Sequence, residues 1–117
     1  MQLNDVSYPG GVPIDGYGPG FFRIGGEVHE GAVLLTPETT SRWGGLEDTA
    51  PLVALAGDID VLFLGTGPEM KPVPADLRAA LDKAGIGIEP MASPAACRTY
   101  NVLLSEGRRI AAALVPV

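Results

Sequence analysis

Two unbroken apolar runs stand out in the hydrophobic pattern of the chain. The run at 59–64 is apolar except for Asp60, and the run at 110–115 is apolar throughout. Neither run alternates between apolar and polar positions, which is typical of strands buried on both faces, as in parallel sheets covered by helices. The pattern therefore predicts a central strand at each of these places.

Two other segments show apolar positions at helical spacing. Residues 74–84 carry two leucines and two alanines on one stripe, and Gly85 follows as a stop. Ser93 and Pro94 have the pattern of an N-cap followed by proline in the first helical position. The helix that they open is expected to continue to Gly107.

Shorter elements complete the second half of the chain. A helix is predicted at 49–56, with Thr49 as its N-cap. A strand is predicted at 86–89 and is expected to end at Pro90, because proline cannot donate to a ladder. Strands that alternate with helices predict a single α/β domain, residues 1–117, with a mostly parallel sheet.

The first part of the chain has a different pattern. Residues 8–20 contain five glycines and three prolines, so this segment is predicted to be an ordered arm rather than a helix or central strand. Runs rich in strand-forming residues follow at 21–24 and 27–35. Between them, Gly25 and Gly26 permit the positive φ angles of a two-residue turn, which predicts an N-terminal β-hairpin.

Charge and composition narrow the class of protein. The net charge is −6, and residues 1–60 hold nine acids against two bases, which argues against binding to nucleic acid or anionic lipid. The longest apolar run is far shorter than the ~20 residues that span a bilayer, so no membrane span is expected. The single cysteine suits a reducing compartment, and no secretory signal is visible. The expected location is cytoplasmic.

The residue inventory excludes several kinds of site. His29 is the only histidine and Cys97 the only cysteine, so no zinc cluster and no serine–histidine–aspartate triad is predicted. Position 70, where the third glycine of a dinucleotide fingerprint would stand, is Met70. We therefore expect no metal, no cofactor and no assigned catalytic residue.

One ligand cleft is predicted from position alone. Gly65, Thr66 and Gly67 follow one probable parallel strand, and Ser93 follows the next. Ligands in open α/β sheets favour this carboxyl edge, and two helix N-termini there would favour an anion or carboxylate. The competing interpretation is that the glycines only make a tight turn.

Two further features of the sequence each allow two interpretations. Cys97 lies in the first turns of a helix beside Arg98, and both features would lower its pKa if it reached solvent. The pattern favours the other interpretation, a buried structural cysteine that reacts slowly, because free cysteine is among the most buried residue types. The aromatic and apolar residues of the arm and the first strand either form a surface for a partner protein or fix the arm to its own domain; they are Tyr8, Ile14, Tyr17, Phe21 and Phe22.

The order of several short motifs is informative as a set. GYGPGFFRIGG, EGAVLLTP, LFLGTG, GIGIEPM and RTYNVLLSEGRRIAAALVPV resemble a small family of unknown biochemical function. That family includes the mitochondrial complex I (NADH:ubiquinone oxidoreductase) assembly factor 3 and a mammalian adipogenesis-associated relative. The resemblance extends from about Tyr8 to Val117.

The resemblance implies a three-layer α/β fold with a mixed five-stranded sheet, whose last strand is antiparallel to the others. It implies no catalytic residues. It favours a non-catalytic assembly protein that binds another protein, such as a respiratory-complex subunit or assembly partner, and is peripheral to the inner membrane through it. The alternative is a small-molecule binder or enzyme that uses the edge from Gly65 to Gly67.

Overall fold

The computed structural model describes residues 11–117, so Tyr8 of the arm lies outside the described part of the chain. Three helices and eight strands follow one another along it. In chain order they are β1 (Ile14–Gly18), β2 (Phe21–Ile24), β3 (Glu27–Glu30), β4 (Val33–Leu35), β5 (Thr40–Arg42), α1 (Ala50–Val53), β6 (Val61–Thr66), α2 (Ala75–Ala84), β7 (Gly87–Met91), α3 (Ser93–Ser105) and β8 (Ile110–Val115).

The larger sheet is mixed and five-stranded, as predicted, in the order β5-β4-β8-β6-β7. Strand β6 is parallel to both β7 and β8, whereas β4 is antiparallel to β8 and to β5. The expectation that the last strand is antiparallel to the others is wrong, because β8 runs parallel to β6 and the reversed strand is β4. The physical reason is that α2 and α3 carry the chain back along the sheet between β6, β7 and β8, which keeps these strands parallel.

The two apolar runs form interior strands, as predicted. Strand β8 is the middle strand, and its residues from Ile110 to Leu114 are 0 % exposed. Alternate residues of β8 belong to two different core clusters, one on each face of the sheet. Strand β6 begins two residues later than expected, at Val61. A continuous apolar run is therefore what a strand with core on both sides requires.

Helices cover the sheet on both faces, which gives the predicted three layers. On one face, α3 packs through Ala96, Cys97, Tyr100 and Leu104. On the other face, α1 and α2 contribute Leu52, Leu77 and Leu81, and Trp43 joins the same cluster.

The predicted hairpin is also present. Strands β2 and β3 are antiparallel, and the turn between them holds Gly25 and Gly26 at φ angles of 58° and 83°. Strand β1 pairs with β2, so the arm supplies the edge of a small three-stranded antiparallel sheet. The single strand expected at 27–35 is wrong, because the chain bends at Gly31 and passes from the small sheet to the large one.

Three local details also differ from the sequence expectations. Strand β7 continues through Pro90 to Met91, which is possible because β7 is an edge strand and proline needs no partner on its open side. Strand β5 was not predicted, since its three residues carry no apolar pattern. Helix α1 ends at Val53 rather than near residue 56, and Thr49 makes no side-chain cap.

Asn101 of α3 holds the small sheet against the helix. Its Oδ1 accepts a hydrogen bond from the Ile14 backbone N–H at 2.8 Å, and its Nδ2 donates to the Ile14 carbonyl at 2.8 Å. Ile14 itself is 5 % exposed and belongs to the core cluster on that face. One amide side chain therefore pairs with both backbone groups of the first residue of β1.

Replacing Asn101 by alanine should remove both hydrogen bonds and lower the free energy of unfolding by about 1–3 kcal/mol, measured by urea denaturation. Asn101→Asp keeps the acceptor for the Ile14 N–H but turns a second carboxylate oxygen toward the Ile14 carbonyl, so it should also lower the free energy of unfolding. Ser105→Ala is the control in the same helix, because the Ser105 hydroxyl bonds only to the nearby Val102 carbonyl. Equal stabilities of the Asn101 and Ser105 variants would contradict this role.

Candidate functional site

The four residues of the predicted cleft lie together at the carboxyl edge of the large sheet. Gly65 and Thr66 end β6, Gly67 follows them, and Ser93 is the first residue of α3. Thr66 is 2 % exposed and Ser93 is 0 % exposed. A Cβ on Gly65 would lie 2.7 Å from Ser93 Oγ, so this close approach requires glycine.

The polar groups of Ser93 form hydrogen bonds with backbone groups at the ends of two strands. Its Oγ donates to the Val115 carbonyl and accepts from the Gly67 N–H at 2.9 Å, and its own N–H donates to the Gly67 carbonyl at 2.7 Å. The N-cap position of α3 is held by Ala92, so the expected cap at Ser93 is wrong. The hydroxyl is directed to β8 and to the β6 end instead of to its own helix.

Thr66 fixes the loop that follows β6. Its hydroxyl hydrogen has two carbonyl acceptors, that of Glu69 at 2.7 Å and that of Met91 at 3.2 Å. The same oxygen accepts from the Lys71 N–H at 2.9 Å. The two hydroxyls of the predicted cleft are thus bonded to the protein's own backbone, and the binding of an anion at this edge stays a prediction.

Cys97 belongs to α3, and its side chain points into the core. It is 5 % exposed, and burial raises the pKa of its thiol to about 11, with the neighbouring Arg98 charge lowering it only in part. Because the thiolate is the reactive form, this environment disfavours nucleophilic chemistry at Cys97.

The predicted aromatic surface is divided by the structure. Ile14 and Phe22 are 5 % and 0 % exposed and lie in the core. Tyr17 is 44 % exposed and Phe21 is half-buried. Of the described members, only Tyr17 and Phe21 can therefore reach a partner, and Tyr8 lies outside the described residues.

A cleft of about 560 Å³ opens at the opposite, amino edge of β6 and β8. We call it the amino-edge cleft, and sequence reasoning missed it. Three segments line it, namely the turn after β4, the loop before β6 and the segment from the end of α3 into β8. The lining residues are Thr36, Pro37, Glu38, Thr39, Leu55, Asp58, Ile59, Leu104, Gly107, Arg108, Arg109 and Ile110.

Tyr100 is buried on the α3 face, one helical turn before Leu104 of the cleft lining. Its hydroxyl has no hydrogen-bond partner among residues 11–117. Burial, and to a smaller extent the negative charge of Glu38, raise the pKa of the Tyr100 phenol above its usual range. The carboxylate of Glu38 therefore acts electrostatically on the core behind the cleft.

Two classes of feature are not seen in the part of the chain that the structure describes. No group of three or more histidine, cysteine, aspartate or glutamate side chains there could hold a metal ion. Over the same residues, no helix has the length and apolar character needed to cross a membrane.

Ser93→Ala should lower the free energy of unfolding by about 2–4 kcal/mol, because it leaves the Gly67 N–H and the Val115 carbonyl unpaired in a buried place. Denaturation in urea measures the change. Ser41→Ala is the matched control, since Ser41 is exposed and its hydroxyl makes only a 3.4 Å contact with the Leu34 carbonyl. A change at Ser93 no larger than that at Ser41 would show that the junction contributes little.

Cys97 should react with a disulfide reagent ~100-fold or more slowly in the native protein than in denaturant, because labelling requires local opening of the core. Its rate should continue to rise with pH up to about 11, the pKa of the buried thiol. A chain carrying Cys97→Ser and Val102→Cys is the control, since position 102 is 56 % exposed and should label rapidly. Equal rates for the two native chains would refute the burial of this thiol.

Comparison with known proteins places the chain among related sequences. An uncharacterized protein of Rhodobacter capsulatus is 48% identical over 117 residues, which is 100% of this chain and 94% of that protein. The NADH dehydrogenase (ubiquinone) 1 alpha subcomplex assembly factor 3 of Danio rerio is 34% identical over 113 residues, or 91% of this chain. This chain spans 65% of that assembly factor, just under two thirds of its length.

Solved structures agree with this placement. A crystal structure described as an outer membrane protein of Bartonella henselae matches with a TM-score of 0.83 and 36% identity, over 95% of this chain and 100% of that one. A solution structure from Bordetella pertussis, described as a Mth938-like domain, matches with a TM-score of 0.78 and 26% identity, over 99% and 92% of the two chains.

A family described as a protein of unknown function, DUF498/DUF598, matches residues 14–115. Together with the assembly-factor relative, this match confirms the resemblance predicted from the short motifs. The chain belongs to this family of proteins of unknown function, DUF498/DUF598.

Proposed function

We propose that this protein is a non-catalytic interaction protein that binds another protein during the assembly of respiratory complex I. The observation that carries the proposal is the 34% identity to an NADH dehydrogenase assembly factor over 91% of this chain. The family match at residues 14–115 spans all the strands and helices described above. The proposed partner is a subunit of the complex or another assembly protein.

The geometry of the described residues is compatible with such a role. The hydroxyls of Ser93 and Thr66 are bonded to backbone groups, and the Cys97 thiol is buried with a raised pKa. These side chains, which could otherwise serve as nucleophiles, stabilise the fold instead. The proposed location is the cytoplasm, at the inner membrane surface when the partner is bound.

Deletion of the gene in the source organism should lower the amount of assembled complex I in the membrane, because the proposed assembly step would fail. Native electrophoresis of solubilised membranes and NADH:ubiquinone oxidoreductase activity measure the loss, and a plasmid copy should restore both. Succinate dehydrogenase activity is the control and should not change.

Normal levels and normal activity of complex I in the deletion strain would rule out the assembly role. The small-molecule hypothesis at Gly65–Gly67 would then become the favoured one, since it does not depend on the respiratory chain.

A further inference from the structure

The amino-edge cleft has an apolar interior. Ile59 is 5 % exposed, and Leu104 and Ile110 are 0 % exposed, so aliphatic side chains form its floor. Leu55 from the loop after α1 is half-buried and adds to this surface. A cleft with such a floor favours the burial of an apolar side chain from a ligand.

Charged side chains surround this floor and come from different segments. Glu38 belongs to the turn between β4 and β5, whereas Asp58 belongs to the loop before β6. Neither carboxylate takes part in an ion pair within residues 11–117. Both side chains are exposed, so a ligand in the cleft can reach them.

The positive charges of the lining are partly neutralised. Arg109 donates from Nη2 to the Gly57 carbonyl at 2.8 Å and lies 3.6 Å from Asp60 Oδ1. Arg108 is the remaining guanidinium of the lining. The lining itself holds two carboxylates and two guanidinium groups, and Asp60, which lies outside the lining beside Arg109, leaves an excess of one negative charge.

The end of α3 adds to the negative field. This helix has 13 residues and ends at Ser105, next to the lining residues Gly107 and Arg108. The carboxyl end of a helix carries a partial negative charge, which favours a nearby cation. The carboxylates therefore favour a positively charged group at the mouth of the cleft. The helix end adds only a smaller contribution, because the Leu103 and Leu104 carbonyls already accept backbone hydrogen bonds.

We propose that the amino-edge cleft binds a short segment of the partner protein in which a lysine or arginine lies beside an apolar side chain. The apolar residue would enter the floor, and the cation would pair with Glu38 and Asp58 at the rim. This inference rests on the proposed function, because it names the site and the chemistry of that protein's partner.

The size and position of the cleft favour a protein segment. A volume of about 560 Å³ holds a few side chains, and the lining comes from three surface segments that a loop or strand end can contact together. The protein as a whole carries a net charge of −6, so a basic partner segment would also be attracted at longer range.

The test uses a short peptide of alternating leucine and lysine as the probe and one of alternating leucine and glutamate as its counterpart. Heteronuclear NMR of the labelled full chain follows each titration. The lysine peptide should shift the amide signals of 36–39, 55–59 and 104–110, and its affinity should fall as salt is raised. The glutamate peptide should leave those signals unchanged.

The chain with Glu38→Lys and Asp58→Lys should bind the lysine peptide about tenfold or more weakly, since two attractive charges become repulsive. A chain with Glu69→Lys and Glu89→Lys is the matched control, because both residues are exposed, lie outside the cleft lining and give the same change in charge. Its affinity should fall only by the small amount that the loss of net negative charge causes, and should stay well above that of the cleft variant. Equal binding of the two peptides, shifts confined to other residues, or equal affinities of the two variants would overturn the proposal.

The same variants separate this proposal from the proposed function. In a deletion strain that has lost complex I, the control variant should restore the complex and the cleft variant should not. If the cleft variant restores it fully, the assembly role stands and the cleft is not the docking site. If deletion leaves complex I normal, the assembly role fails, and the peptide titration still decides whether the cleft binds a basic apolar segment.

A free diamine is a further control for the ligand. If it saturates the cleft as tightly as the lysine peptide does, the cleft binds a small cation and not a protein segment.

Discussion

The buried hydroxyl of Ser93 joins the parts of the structure that meet at the carboxyl edge of the large sheet. It connects the end of β8 at Val115 with the turn after β6 at Gly67, while its own residue begins α3. Gly65 must lack a side chain for this contact to form. Since a buried polar group is stable only when it is hydrogen-bonded, the position of α3 over the sheet depends on these partners.

The two edges of the large sheet differ in whether they leave space for a ligand. At the carboxyl edge, Ser93 and Thr66 bind backbone groups of their own chain. At the amino edge, the three segments around Ile110 leave a cleft of about 560 Å³. A ligand of this protein can therefore bind at the amino edge, although parallel sheets usually bind their ligands at the carboxyl edge.

Much of the fold was predictable because its signals are local and strong. The run at 110–115 has core on both faces, the 74–84 stripe ends at a glycine in the left-handed region, and two adjacent glycines form the hairpin turn. The break at Gly31 was not predictable, since strand-compatible residues stand on both sides of it and only tertiary pairing divides them between two sheets. The direction of β8 likewise follows from how helices return the chain, which the resemblance alone misassigned.

The sequence predicted that the residues of the carboxyl-edge cleft lie close together, but not what their hydroxyl groups bind. Strand ends and helix starts showed that Thr66 and Ser93 should lie near each other, because such ends meet at one edge of a parallel sheet. Whether a hydroxyl faces solvent or a backbone carbonyl depends on side-chain geometry that no spacing encodes. The amino-edge cleft brings together residues as distant in sequence as Glu38 and Arg108, each of which taken alone is an ordinary surface charge.

In this proposal the amino edge of the large sheet is the surface that contacts a partner, while the carboxyl edge maintains the fold. Hydrogen–deuterium exchange of the wild-type chain, with and without solubilised membranes from a strain lacking the gene, distinguishes the two edges. Exchange should become slower at 36–39, 55–59 and 104–110 when membranes are present, with no change at 65–67. Slower exchange at 65–67 and 91–93, with the amino edge unchanged, would contradict the proposal.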